Sequence, residues 1–310
     1  MNRILWLASW YPNELALQEG DFIQRHARAV SRFLDIDLFY IVRDAEGKIT
    51  RSVKHDVIRE GRLTQHIIYY YSSKLPVGTA DRLFSYLKYQ RLFKSHIKQY
   101  ISEYGLPSLV HVHVGMKAGM IAEWIRRTCK IPYLISEHWS GFLPESTERF
   151  EQLPSYLRQT WEKILVNAAG VSTVSAYLKQ QMQRSRPQIV EPVVIPNVVD
   201  TDLFHLTEKK SDAVPHFVHV SDLGDHKNPT AIIEAFSILQ QKNIAFKLDV
   251  FGRHSEKVQM LVDKHGLNDI ISFYGEIPQP SLAGYVRKAD ALILFSQYET
   301  FGCVAIEAEA

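Results

Sequence analysis

The sequence predicts an α/β protein built as two successive halves, and three observations carry that prediction. Short apolar runs alternate with longer stretches of helical period, the pattern of repeated β-α units around a mainly parallel sheet. The pattern restarts near Pro215, after a polar, aperiodic segment from Thr207 to Pro215 (TEKKSDAVP) that reads as a hinge or linker. The 310 residues suffice for two domains of ordinary size. Two Rossmann-like domains facing a cleft are therefore expected, residues 1–206 and 207–310.

Composition narrows the classes. With 46% apolar and 23% charged residues the chain can build a sizeable core, which excludes a disordered or fibrous protein. Lys and Arg number 36 against 34 Asp and Glu, so no overall field favours nucleic acid, and none is expected as a partner. The apolar run Ile4 to Ala8 is too short for a membrane span or a signal core, which points to the cytoplasm. Cys129 and Cys303 lie in different halves without metal-ligand spacing and read as two buried thiols.

In order along the chain, Arg3 to Ser9 reads as a buried first strand. A loop with Pro12 and Gly20 leads into a helix from about Asp21 to Phe33, with Phe22, Ile23, His26 and Val30 on one face. Asp37 to Val42 and Gln65 to Tyr71 are the next strands, and Thr79 to Tyr104 is a long helix stopped by Gly105 and Pro107. Leu109 to Val114, Tyr133 to Ser136 and Gly170 to Val174 complete the first half. In the second, His216 to Val220, Phe246 to Phe251, Ile270 to Tyr274 and Ala291 to Phe295 are strands. Helices near Asn228 to Gln241, Ser255 to His265 and Pro280 to Arg287 separate them. Gly302 to Ala310 starts a helix with Val304, Ala305 and Ala308 inward and no stop signal. The second domain is thus expected to be incomplete.

The most informative stretch is Ser296 to Glu307 (SQYETFGCVAIE). It sets Glu299 at the carboxyl end of a buried strand, where open α/β sheets bind ligands. Glu307 follows in the next helix. Phe301, Gly302, Cys303 and Val304 would present backbone N–H groups at that helix's start, suited to an anion. Two carboxylates around such a site suit hydroxyl-rich ligands. Spacing alone equally allows a helix-start charge and a solvated face.

This stretch is similar to the E-x(7)-E motif of the family-four retaining glycosyltransferases, which have the GT-B fold of two Rossmann-like domains. The resemblance runs along essentially the whole chain. VVIPNVVDTDLF (Val193 to Phe204) resembles the family's hinge segment, and FVHVSDLGDHKNPTAIIEAF (Phe217 to Phe236) its first donor-domain strand and phosphate loop. KLDVFG, ISFYGEI and KADALILFS match the later strands in order, and HVHVGMKAGMIA, PYLISEHWSG and AAGVSTVSAYL resemble acceptor-domain segments.

The resemblance implies roles. Glu299 would contact hydroxyls of the transferred sugar and Glu307 the nucleotide ribose, with Phe301 to Val304 holding the donor through amides. Lys227 would sit on the donor pyrophosphate, where charge builds on the leaving group. His138 would lie near the reacting sugar, and Gly20 would let backbone approach the donor phosphates. The implied activity is hexose transfer, with retention, from a UDP- or GDP-sugar to a glycan or lipid-linked acceptor in surface polysaccharide biosynthesis. No cofactor or metal is called for beyond the nucleotide-diphosphate sugar co-substrate. The chain departs from the family at Asp222, five residues before Lys227, where an arginine is usual, and at Val198, where a glycine is usual. A nucleotide-sugar epimerase of the same fold, and a non-catalytic or truncated sugar-nucleotide binding protein, are the alternative readings.

Three further patterns stand apart. His111 and His113 alternate on a strand without a third ligand and read as structural. Asp35 and Asp37 have the D-x-D spacing of metal sites but sit at a strand entry with no carboxylates expected nearby. In the helix over 79–104, Lys88, Arg91, Lys94 and Lys98 lie roughly opposite Leu83, Tyr86, Phe93 and Ile97. Such a helix is a solvated outer face or a peripheral contact with the inner face of the membrane.

Overall fold

The alternation of the first half resolves into one sheet of eight strands. The structure, a computed structural model, describes residues 3–207 and 214–310, so residues 208–213 of the expected linker lie outside the described residues. Its contacts divide the chain into two units, Met1–Val198 and Val199–Ala310.

In the first unit the elements run β1 (Arg3–Ala8), α1 (Asp21–Ser31), β2 (Asp35–Asp44), β3 (Val53–Glu60), β4 (Leu63–Tyr71) and α2 (Gly78–Tyr104). Then come β5 (Leu109–His113), α3 (Lys117–Cys129), β6 (Tyr133–Glu137), α4 (Ser155–Val166), β7 (Gly170–Thr173), α5 (Ala176–Ser185) and β8 (Val193–Val194). The sheet order is β3-β4-β2-β1-β5-β6-β7-β8, parallel except for β3 against β4. The chain leaves β1 toward β2 on one side and returns to β5 on the other. The loops after β1 and β5 therefore part at a topological switch point, where such sheets bind ligands. Leu5, Leu7, Val110, Val112, Tyr133 and Ile135 fill the central strands with almost no exposure.

Strand β3 is absent from the sequence expectation. It is an exposed edge whose side chains alternate Lys54, Asp56 and Ile58 with Val53, His55 and Val57, so it carries no buried run to announce it. Its charges suit an edge that must not pair with another chain. The hairpin to β4 turns through Gly61, at φ +59°, as two-residue turns require.

Helix α2 also departs from expectation. Phe93 and Ile97 are buried with Tyr89 and Tyr100, but Leu83 and Tyr86 are exposed, as are Phe84 and Leu87. Arg43 of β2 holds Asp81, the Tyr70 hydroxyl of β4 donates to the Ser85 carbonyl and Tyr86 reaches Met120 of α3, so polar contacts tie down the early turns while Leu83, Phe84 and Leu87 stay exposed.

The second unit carries β9 (His216–Val220), α6 (Pro229–Gln241), β10 (Lys247–Phe251), α7 (Glu256–Lys264), β11 (Ile271–Gly275), α8 (Gln279–Lys288), β12 (Ala291–Leu292) and α9 (Cys303–Glu309). Its parallel sheet has the order β11-β10-β9-β12. Leu248 and Val250 meet Ile232, Ile233 and Phe236 of α6 in its main cluster, each such burial contributing about 1.5–3 kcal/mol. Here the switch point falls between β9 and β12. Strand β12 is shorter than the expected Ala291 to Phe295; Ile293 still donates to Val218, but Phe295 is exposed. In α9, Ala308 is exposed rather than inward and Glu307 is the buried residue. Its Oε1 accepts from Gln279 Nε2 of α8 at 3.4 Å, which turns the helix with its carboxylate inward.

Candidate functional site

In the second unit, the loops after β9 and β12 meet at the switch point. Lys227 ends a short 3-10 turn, Asp225–Lys227, that Asn228 closes at φ +52° before Pro229 opens α6. Lys227 Nζ donates to Glu299 Oε1 at 2.6 Å, and Ser296 Oγ donates to the same oxygen at 2.8 Å. The two loops are stitched by the Gln297 N–H on the His226 carbonyl, 2.8 Å, and by His226 stacked on Tyr298. The lysine and glutamate side chains are 19% and 33% exposed, so the pair remains reachable from solvent.

Beneath it, His219 of β9 holds the loop from within. Its Nδ1 faces the Ile293 carbonyl at 2.8 Å and so carries the proton. Its Nε2 then accepts from Ser221 Oγ at 2.8 Å, and Ser221 Oγ accepts the Leu223 N–H at 3.0 Å. Burial holds this histidine below its ordinary pKa and keeps it neutral. Gly252 lets the loop lie close: a Cβ there would stand 1.9 Å from the Ser221 carbonyl oxygen. Asp222 is exposed; its Oδ1 accepts the Gly224 N–H at 3.0 Å, closing the turn before Lys227, and its Oδ2 lies 3.9 Å from His226 Nε2.

Phe301, Gly302, Cys303 and Val304 occupy the entry to α9, where Gly302 adopts φ +85° as its N-cap. Glu307 lies in the same helix, buried against α8. Cys303 and Cys129 are both half-buried and in no disulfide, less enclosed than the sequence reading held.

In the first unit, His138 follows β6 and is buried beside Phe22 of α1, ring centroids 4.5 Å apart. His26 and His113 each lie 6.0 Å from it. Neither ring nitrogen of His138 or His113 has a hydrogen-bond partner, and burial depresses both pKa values well below the ordinary imidazole range. Glu137, wholly buried, anchors this loop. Its Oε1 accepts the N–H groups of His138 and Trp139 at 3.0 Å, and its Oε2 accepts that of Gly115 at 3.1 Å. Burial pushes its carboxyl up to about 7, against the pull of those three donors.

Gly20 caps α1 in the left-handed region at φ +63°, and a Cβ there would meet the Trp10 carbonyl 2.7 Å away. Its conformation is thus demanded by the chain's own packing. His111 Nε2 pairs with Ser136 Oγ at 2.8 Å; Asp35 binds Arg62, and Asp37 takes Arg3 and the Tyr100 hydroxyl. No group of three or more metal-ligating side chains is assembled among the described residues.

Two family models match the chain in succession: "Glycosyl transferase 4-like domain" over residues 62–198 and "Glycosyl transferases group 1" over residues 202–310. The chain belongs to the family-four glycosyltransferases of the GT-B type. Sucrose-phosphate synthase from Thermosynechococcus elongatus shares the fold with a TM-score of 0.75 at 19% identity, over 99% of this chain and 78% of that one. The trehalose-6-phosphate enzyme of E. coli, solved with UDP-2-fluoro glucose, gives 0.67 at 11% identity over 98% and 81%. Among curated relatives, alpha-monoglucosyldiacylglycerol synthase of Streptococcus pneumoniae is 24% identical over 74% of this chain and 54% of its own length. D-inositol 3-phosphate glycosyltransferase of an Arthrobacter strain is 26% identical over 39% and 31%. The chain thus spans about half or less of the length of these curated relatives.

Sequence reasoning named Lys227 and Glu299 separately; the structure pairs them. That reasoning gave no role to Ser296, which opens the stretch it singled out, nor to Gly252 and Glu137. Glu137 had a legible signal, a carboxylate closing an apolar strand directly before His138. Ser296 and Gly252 stood within segments matched to the family, but their roles exist only once β9, β10 and β12 are neighbours.

Proposed function

We propose that this glycosyltransferase moves a hexose, with retention, from a UDP- or GDP-sugar to a glycan or lipid-linked acceptor in surface polysaccharide biosynthesis in the cytoplasm. The observation that carries the reading is the Lys227–Glu299 pair at the switch point of the second unit. Lys227 supplies a fixed cation for the leaving diphosphate, and such preorganised charge acts where charge develops. A metal is then not needed for that task. Glu299 accepts from sugar hydroxyls. Lys227 and Ser296 already occupy its Oε1, which suits orientation better than covalent attack.

Glu307 takes ribose hydroxyls, and the amides of Phe301, Gly302, Cys303 and Val304 hold donor oxygens. The bond from the anomeric carbon to the leaving phosphate oxygen breaks as the acceptor oxygen bonds to that carbon on the same face. The acceptor's proton passes to the departing phosphate. His138, kept neutral by burial, contributes a hydrogen bond near the reacting sugar, and the Gly20 loop approaches the donor phosphates. The pneumococcal relative is named for a glucosylated diacylglycerol, which supports a lipid-linked acceptor.

A thermal titration with UDP and GDP tests the donor site, because a ligand that binds only the folded state raises the midpoint with concentration. One nucleotide should stabilise the wild type, and Lys227→Ala and Glu307→Ala should lose the effect. No shift with either nucleotide would overturn the assignment. A donor screen with product analysis follows. Conversion of the donor without an acceptor would mark an epimerase, and binding without turnover a sugar-nucleotide binding protein.

A further inference from the structure

The early turns of α2 hold apolar side chains away from the fold. Leu83, Phe84 and Leu87 are 60%, 54% and 56% exposed. Leu83, Tyr86, Leu87, Gln90 and Lys94 fall at i, i+3, i+4, i+7 and i+11 and therefore share one side of the helix. That side runs into a groove of about 570 Å³ between α2, α3 and α4, where Lys94, Trp124, Arg127 and Lys163 are among the lining residues.

The charge of the groove is one-sided. Glu123, its carboxylate, is taken by Arg126 at 2.8 and 3.0 Å and by Asn167 at 3.2 Å. Lys94, Arg127 and Lys163 form no ion pair among the described residues. Lys94 Nζ instead lies 5.7 Å over the Trp124 ring, which holds the cation in the groove. Gln90 Nε2 is buried there without a hydrogen-bond partner.

We propose that this groove and the adjoining side of α2 dock the protein on an anionic lipid surface. Lipid phosphates sit among Lys94, Arg127 and Lys163, and acyl chains meet Leu83, Phe84 and Leu87. A soluble anion would satisfy the cations and leave the leucines in water. An acidic protein surface would do the same. Only an amphiphile with a negative head matches both ends. No helix among the described residues is long and apolar enough to cross a membrane, so the contact is peripheral. The proposal is independent of the transferase reading, since vesicle binding requires no turnover.

Co-sedimentation of the whole protein with vesicles tests it, comparing phosphatidylcholine alone with phosphatidylcholine plus phosphatidylglycerol. Binding should need the anionic lipid and weaken with salt. Each basic residue near such a surface is worth about a fivefold change in partition, so K94Q/R127Q/K163Q should lower it on the order of 100-fold. Leu83→Ser with Leu87→Ser, both at exposed positions, should lower it as well while leaving the thermal midpoint in place. Equal binding to both vesicle types, or anionic binding that survives the groove variant, would overturn the proposal. So would a midpoint raised by glycerol phosphate with no vesicle binding, which would make the groove a site for a free anion, or vesicle binding absent where a purified acidic protein binds.

Discussion

Lys227 Nζ stands 2.6 Å from Glu299 Oε1 although 72 positions separate the two residues in the chain. Parallel pairing makes them neighbours: β9 and β12 are adjacent, and each residue lies in the loop leaving the carboxyl end of one of them. A partly exposed pair of this kind contributes only about 0–1 kcal/mol to stability. Its worth therefore lies in holding two opposite charges at one point.

Glu299→Ala should consequently separate activity from stability. Transfer is expected to fall by about 10²–10³ or more, the scale of a lost preorganised contact, while UDP or GDP still raises the thermal midpoint. Kinetics and a thermal titration on the same preparation check this. Unchanged turnover would remove Glu299 from the site.

Glu137→Gln tests the anchor under His138. A glutamine has one acceptor oxygen for the three N–H groups that Glu137 serves, and its amide N–H₂ faces a donor. Leaving buried donors unmet costs about 1–3 kcal/mol, so the chemical-denaturation midpoint should drop. Glu137→Asp, which keeps the charge but shortens the reach, should recover part of it.

Acid should weaken the first unit. The folded-state pKa values of His111, His113 and His138 are depressed, that of His111 to about 4. Their contribution is complete above the unfolded value of about 6.5 and is lost as pH falls through the folded values. Glu137 runs the other way, because its pKa is raised to about 7. Its contribution is complete below its unfolded value and is lost as pH rises through 7. Three histidines outweigh one carboxylate, so unfolding takes up protons and the urea midpoint should fall between pH 6.5 and 4. His113→Leu, which removes a ring with no hydrogen bond, should flatten that dependence; an unaltered slope would exclude this histidine as a source.

Two glycines should be costly to replace, and unequally. Gly20→Ala places a methyl 2.7 Å from the Trp10 carbonyl at φ +63°, with an expected loss of about 1–3 kcal/mol. At Gly252 the new carbon would meet the Ser221 oxygen at 1.9 Å, backbone against backbone. Gly252→Ala should therefore destabilise the second unit more and disturb the Lys227 loop. Thermal midpoints of the two variants side by side decide it.

The sequence by itself determined the class of fold, the order of most elements and the family, because each rests on local information. Apolar runs such as Arg3–Ala8 and His216–Val220 declare buried strands whatever their neighbours, and the separate stretches around Lys227 and Glu299 each carry their residue types at fixed spacing. Strand β3, with a polar and exposed pattern, gave no such signal, and the early turns of α2 kept helical period although Leu83, Phe84 and Leu87 are exposed. Only the tertiary structure decided which side chains meet. The Lys227–Glu299–Ser296 contact, the three amides on Glu137 and the crowding at Gly252 depend on strand order. Strand order is set by long-range packing, to which periodicity along one segment is blind.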